Sequence, residues 1–158
     1  MEMPVYLFTG FLDAGKTKFI QETLEDPRFY DGERTLVILC EEGETEYDPS
    51  KFPSENVFFH TINEKDNLTK KELLGLQKKY RMQRVLIEYN GMWELNVLYE
   101  NLPDNWLIYQ QMMFAHAGTF QVYNTNMRNL MADKLRTAET VIFNRVNQGA
   151  DLMLCDTA

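Results

Sequence analysis

Short, unbroken apolar runs recur along this chain, and they constrain its fold more than any other feature. They are Val5-Tyr6-Leu7-Phe8, Leu36-Val37-Ile38-Leu39, Val57-Phe58-Phe59, Val85-Leu86-Ile87 and Val141-Ile142-Phe143. Ile108 to Phe114 is a further candidate, interrupted by Gln110 and Gln111. A strand wet on one face alternates apolar and polar residues. A run that is apolar at every position suits a strand covered on both faces, as in a parallel sheet packed between helices.

The stretches between the runs carry helical signals. One helix is expected to begin in the Gly15-Lys16-Thr17 turn and reach about Glu25, before Pro27. A second follows Thr69-Lys70-Lys71-Glu72, which fits a capping box, with Leu73, Leu74 and Leu76 on its apolar side. A third spans roughly Trp93 to Asn101 and stops before Pro103. A fourth covers about Met127 to Thr137. Strand-then-helix order predicts a three-layer α/β fold. Glu41 to Ser54, with five acids and two prolines, reads as a loop, as does the polar connection from Asn63 to Asn67.

At 158 residues the chain is the size of one domain. Its 44% hydrophobic and 25% charged residues are ordinary for a globular protein. A formal net charge of −8 argues against nucleic acid and anionic membranes, which call for clustered Lys and Arg. No apolar run approaches the ~18 residues of a membrane span. Met1-Glu2-Met3-Pro4 lacks the basic start of a secretory signal. Cys40 and Cys155 are too few for a disulfide framework or a zinc ribbon, and free thiols suit a reducing compartment. A cytoplasmic location is expected by default. Only fourteen residues follow Asn144, so a missing C-terminal portion is also expected.

Gly10-Phe11-Leu12-Asp13-Ala14-Gly15-Lys16-Thr17 fits G-x-x-x-x-G-K-[ST], with an apolar strand before it and a helix after it. Glycines let the chain curl so that successive amides point at phosphate oxygens. The new helix adds the positive end of its dipole. Lys16 would reach the β- and γ-phosphates of a nucleoside triphosphate, and the Thr17 hydroxyl would bind Mg²⁺. The expected phosphate-binding set is Gly10, Asp13, Ala14, Gly15, Lys16, Thr17 and Lys18. The Asp13 carboxylate either turns away from the anion or orients water or a dimer partner.

Arg84-Val85-Leu86-Ile87-Glu88 is an apolar strand ending in an acid, with Gly91 at the third position beyond. Ligands of open α/β sheets sit outside the carboxyl ends of strands. Glu88 can therefore hold or relay to Mg²⁺, with the Gly91 amide near the γ-phosphate; the plainer reading is a strand ending in a solvated acid.

Taken together these residues resemble the CobW-type GTPases, a P-loop family related to the GTPases of urease and hydrogenase maturation. Thr9-Gly10-Phe11-Leu12-x-x-Gly15-Lys16-Thr17 is similar to its phosphate loop, and Glu88-x-x-Gly91 to its E-x-x-G metal-site motif. Cys40-Glu41-Glu42-Gly43-Glu44, with Asp48 beyond, is similar to its Asn-Glu-x-Gly-Glu…Asp switch segment. Asn144-Arg145-Val146-Asn147 stands where the family reads guanine with N-K-x-D. The resemblance implies a P-loop NTPase fold with a mainly parallel sheet and GTP, or another purine nucleotide, as ligand. It further implies Mg²⁺-dependent slow hydrolysis with Lys16, Glu88 and Glu41 in catalytic roles, Thr17 and Glu88 at the metal, and Asn144 and Arg145 at the base. The family context is metal homeostasis or metalloprotein maturation, with a protein client or a homodimer as partner.

The chain departs from the family pattern in five places. Asp13 lies in the phosphate loop where the family often has glycine. Asn56 to Gln83 contains no cysteine, so the family's Cys-x-Cys-Cys motif is missing. Asn147 replaces a carboxylate that accepts two hydrogen bonds from guanine, which weakens discrimination of the base. Cys40 replaces asparagine, and His116 stands where the family has Asp. His60 reads as a core or edge residue. Met112-Met113-Phe114, Trp93 and Trp106 read as core. Two other functions remain open: a nucleotide-binding interaction domain without hydrolysis, and a P-loop kinase for a small metabolite, although no Arg-rich lid is visible.

Overall fold

The computed structural model describes residues 2–10, 15–29, 31–41, 46–116 and 140–144. Among these residues, six strands and three α-helices follow in the order β1 (Met3–Gly10), α1 (Lys16–Glu25), β2 (Thr35–Leu39), β3 (Val57–Thr61), α2 (Lys70–Tyr80), β4 (Arg84–Glu88), α3 (Leu95–Asn101), β5 (Trp106–His116) and β6 (Thr140–Asn144). The strands form one sheet in the order β3-β2-β4-β1-β5-β6. Every pairing in it is parallel.

Strand periodicity divides the apolar runs between two cores. Met3, Val5 and Leu7 of β1, Leu36 and Ile38 of β2, and Val85 and Ile87 of β4 pack with Leu73 and Leu76 of α2 and Leu95 and Leu98 of α3. The intervening residues Phe8, Val37 and Leu86 pack with Ile20 and Leu24 of α1 and with Phe114 of β5. Successive side chains of a strand point to opposite faces, so an all-apolar strand needs a helix on each side. This is the three-layer α/β architecture expected. Burying a side chain such as Ile20 or Leu24 contributes about 1.5–3 kcal/mol.

Some expectations change. The run Val57-Phe58-Phe59 forms a strand, but its residues are only half-buried because β3 lies at the sheet edge. On α2, Leu73 and Leu76 are buried while Leu74 is 39% exposed. One residue is about 100° of helical turn, which carries Leu74 away from the face shared by positions three and four apart. The Thr69 hydroxyl accepts from the Glu72 amide, but the reciprocal half of the capping box is not made. The Thr69 amide donates to the Asn67 carbonyl instead, and the Glu72 carboxylate lies 3.5 Å from His60 on β3. The third helix starts at Leu95, two residues later than expected. A single turn of 3₁₀ helix at Pro49–Lys51, capped by the Asp48 carboxylate, interrupts the acidic loop. The helix expected over 127–137 lies outside the described residues.

The strand order also positions a site. The chain leaves β1 toward β2 and β3 on one side, and leaves β4 toward β5 and β6 on the other. β1 and β4 are neighbours, so their connections diverge above their carboxyl ends. Such a switch point is where open α/β sheets bind ligands.

Candidate functional site

At that switch point β1 runs through Thr9 into Gly10, whose φ is 128°. A Cβ on Gly10 would lie 2.2 Å from the carbonyl oxygen of Phe114 on the adjacent strand. Both the left-handed φ and this close approach require glycine. Gly15 precedes α1 with φ 99°, again left-handed, and turns the chain from loop into helix. Residues 11–14, including the predicted contributors Asp13 and Ala14, lie outside the described residues.

The first turn of α1 carries two buried polar side chains, Lys16 and Thr17. The Lys16 ammonium donates to the Gly10 carbonyl at 2.6 Å and the Tyr89 carbonyl at 3.0 Å. Its third bond goes to the Glu41 carboxylate in an ion pair. The other oxygen of that carboxylate accepts from the Gly91 amide at 3.2 Å. Thr17 donates from its hydroxyl to Glu88 at 2.6 Å, and the second Glu88 oxygen accepts from the Tyr47 hydroxyl. Lys18 points outward and is exposed.

Backbone register explains why these groups meet. Glu88 ends β4 opposite Phe8 of β1 and Leu39 of β2. Its parity is that of Leu86, so it faces α1, and it is buried. Beyond the strands the pairing continues: the Cys40 amide donates to the Glu88 carbonyl at 2.9 Å, and the Tyr89 amide to the Phe8 carbonyl at 2.9 Å. Asn90 ties the two loops together, donating from its side chain to the Cys40 carbonyl at 3.2 Å and accepting from the Met92 amide at 2.8 Å. Glu41, one residue past Cys40, is thereby delivered to Lys16.

Burial governs the titration of two neighbours. The Cys40 thiol is pushed up to about 12, first by burial and then by the negative charge of Glu41. The Tyr47 phenol is raised well above its ordinary value, again by burial first and then by the Glu88 charge. It stays protonated at neutral pH and serves Glu88 as a donor.

Tyr47 is the functional neighbour that sequence reasoning passed over. Its ring packs on Phe59 of β3, with centroids 5.0 Å apart. The next residue is pinned to α1, because the Gln21 side chain both accepts from the Asp48 amide and donates to the Asp48 carbonyl, each at 3.0 Å. The available signal was an aromatic residue next to Asp48 in the acidic loop.

The donor chemistry fits the groups a triphosphate site needs. Thr17 and Glu88 offer only oxygen, which suits the hard Mg²⁺ ion. Among the described residues no cluster of three or more His, Cys, Asp or Glu could hold a metal by itself. An ion there would depend on phosphate oxygens, as Mg²⁺ does at nucleotide sites. At the far end of the sheet, Asn144 ends β6 opposite His116 of β5. Arg145 and Asn147 lie outside the described residues. His60 belongs to the edge of the sheet, as expected, and Trp106, Met113 and Phe114 belong to the core.

A parallel sheet, a glycine-bounded turn into a helix, and a buried lysine and threonine facing an acid at the end of the neighbouring strand together define a P-loop nucleotide-binding fold. Residues 4–156 match the CobW/HypB/UreG nucleotide-binding domain, and the chain belongs to that family. No curated protein matches the chain significantly. Among the described residues no helix is long and apolar enough to cross a membrane.

Proposed function

We propose that this domain binds GTP, or a closely related purine nucleoside triphosphate, together with Mg²⁺ and hydrolyses it slowly. The observation that carries the reading is the convergence of Lys16 and Thr17, at the start of α1, with Glu41 and Glu88 at the carboxyl ends of β2 and β4. Lys16 and the loop amides would neutralise charge developing on the γ-phosphate, which is the largest contribution a P-loop site makes to phosphoryl transfer. Bound Mg²⁺ would supply further charge neutralisation. Thr17 would be its protein ligand, and Glu88 would orient Thr17 or a metal-bound water. Glu41 would orient the attacking water once a γ-phosphate takes its place on Lys16. Asn144 and Arg145 would contact the base, with the preference for guanine relaxed by Asn147.

Within its family the domain would act in metal homeostasis or metalloprotein maturation, through a protein client or a second copy of itself, in the cytoplasm. The missing Cys-x-Cys-Cys motif argues that any metal delivery uses other ligands. The test is phosphate release with GTP, ATP and XTP, with and without Mg²⁺. Mg²⁺-dependent release with GTP and no added acceptor supports the reading. Binding without release would reduce the domain to a nucleotide-responsive interaction module, and release that requires an added metabolite would make it a kinase.

A further inference from the structure

The Lys16 ammonium has three protons, and all three are committed: two to the carbonyls of Gly10 and Tyr89, and one to Glu41. The carbonyls belong to backbone fixed by the sheet, at the end of β1 and just past β4. The Glu41 carboxylate sits at the tip of a flexible side chain. It also takes the one proton of the Gly91 amide through its other oxygen. One carboxylate therefore holds both donors that a terminal phosphate would use, and its two oxygens present the charge and spacing of two phosphate oxygens. Glu41 is 11% exposed and Lys16 3%, so water does not screen the pair strongly.

We propose that Glu41 competes with the γ-phosphate for Lys16 and the Gly91 amide, and so sets the balance between nucleoside tri- and diphosphate at this site. A triphosphate must expel the carboxylate from both donors, whereas a diphosphate competes with it for Lys16 alone and leaves the Gly91 amide to Glu41. The inference rests on the nucleotide-binding reading above and adds to it a side chain that opposes one ligand more than the other. A γ-phosphate that does enter frees Glu41, so the chain beyond β2 senses the phosphate through a bond it loses.

The test measures the affinity of wild type and Glu41→Gln for Mg²⁺ with the β,γ-imido analogue of GTP, which does not turn over, and for Mg²⁺ with GDP. Glutamine keeps the shape and removes the charge. A charge-assisted hydrogen bond is worth ~1.5–3 kcal/mol, so the preference for the analogue over GDP should rise by about tenfold or more in the variant. Glu41→Asp, too short to span both donors, should move the ratio in the same direction and stands in if the glutamine variant does not fold. An unchanged or lowered preference for the analogue, with both nucleotides still bound, overturns the competition and leaves the nucleotide site standing. Absence of binding by wild type to either nucleotide overturns both.

Discussion

The two ends of the central strands each bury a cation, and they use it differently. At the amino end Arg84 opens β4 with its side chain 8% exposed. It donates to the Thr35 hydroxyl at 2.7 Å and the Phe29 carbonyl at 3.2 Å, and its guanidinium lies 3.9 Å from the centre of the Phe29 ring. The acids beside it, Asp31 and Glu33, are 53% and 42% exposed and stay largely in water. At the carboxyl end Lys16 is held by a carboxylate that is only 11% exposed and that also occupies a backbone amide. The first cation fastens the loop before β2 to β4. The second is bound by a carboxylate at the tip of a side chain, the group proposed to give way to a phosphate. A planar guanidinium fixed by three kinds of partner suits a joint, and a compact ammonium with one exchangeable ligand suits a binding site.

Paired substitutions break this comparison most sharply. Lys16→Met should weaken Mg²⁺–GTP binding by about a hundredfold or more, since charge-assisted bonds to two phosphates are lost at ~1.5–3 kcal/mol each. Calorimetric titration would show that loss, and circular dichroism at the titration temperature would show the variant still folded, although its melting temperature falls with the loss of the Glu41 ion pair. Arg84→Met should do the reverse. Leaving the Thr35 hydroxyl and Phe29 carbonyl without a donor should lower unfolding free energy by about 2 kcal/mol in a urea titration, with nucleotide affinity within about twofold of wild type.

The carboxyl end should also show itself in alkali. Cys40 has its pKa raised in the folded state, so its contribution is complete below the unfolded thiol value and declines as pH rises toward about 12. Stability should fall by up to about 1.4 kcal/mol per pH unit across that window, and Cys40→Ala should flatten the slope when urea midpoints are compared at pH 8 and 10. The smallest effect is expected from Tyr47→Phe. One donor to Glu88 is removed while the ring stays on Phe59, so stability should drop by about 1 kcal/mol in the same titration.

Most of the fold was legible because the apolar runs and the glycine-bounded turn are local signals. The six strands appear where the runs stand, and α1 begins at Lys16 as the phosphate-loop spacing requires. What could not be read depended on partners distant in sequence. Glu72 looks like half of a capping box until β3 brings His60 to it. Glu41 is picked out among five acids by the family resemblance, but its partners are not, because only the pairing of β2 with β4 carries it to Lys16 and Gly91. Gln21 gave no signal and Tyr47 only a faint one, because their roles arise where α1 packs beside the chain that precedes β3. Arg84 looked like the start of a strand and is a joint between loops.

Lys16 and the Gly91 amide are proposed to hold phosphate rather than the nucleoside. Titrating the wild-type protein with GTP and, separately, with guanosine, both in Mg²⁺, isolates that group. GTP should bind and guanosine should bind at least about a thousandfold more weakly, given several charge-assisted bonds to phosphate. Equal affinity for the two would contradict that assignment.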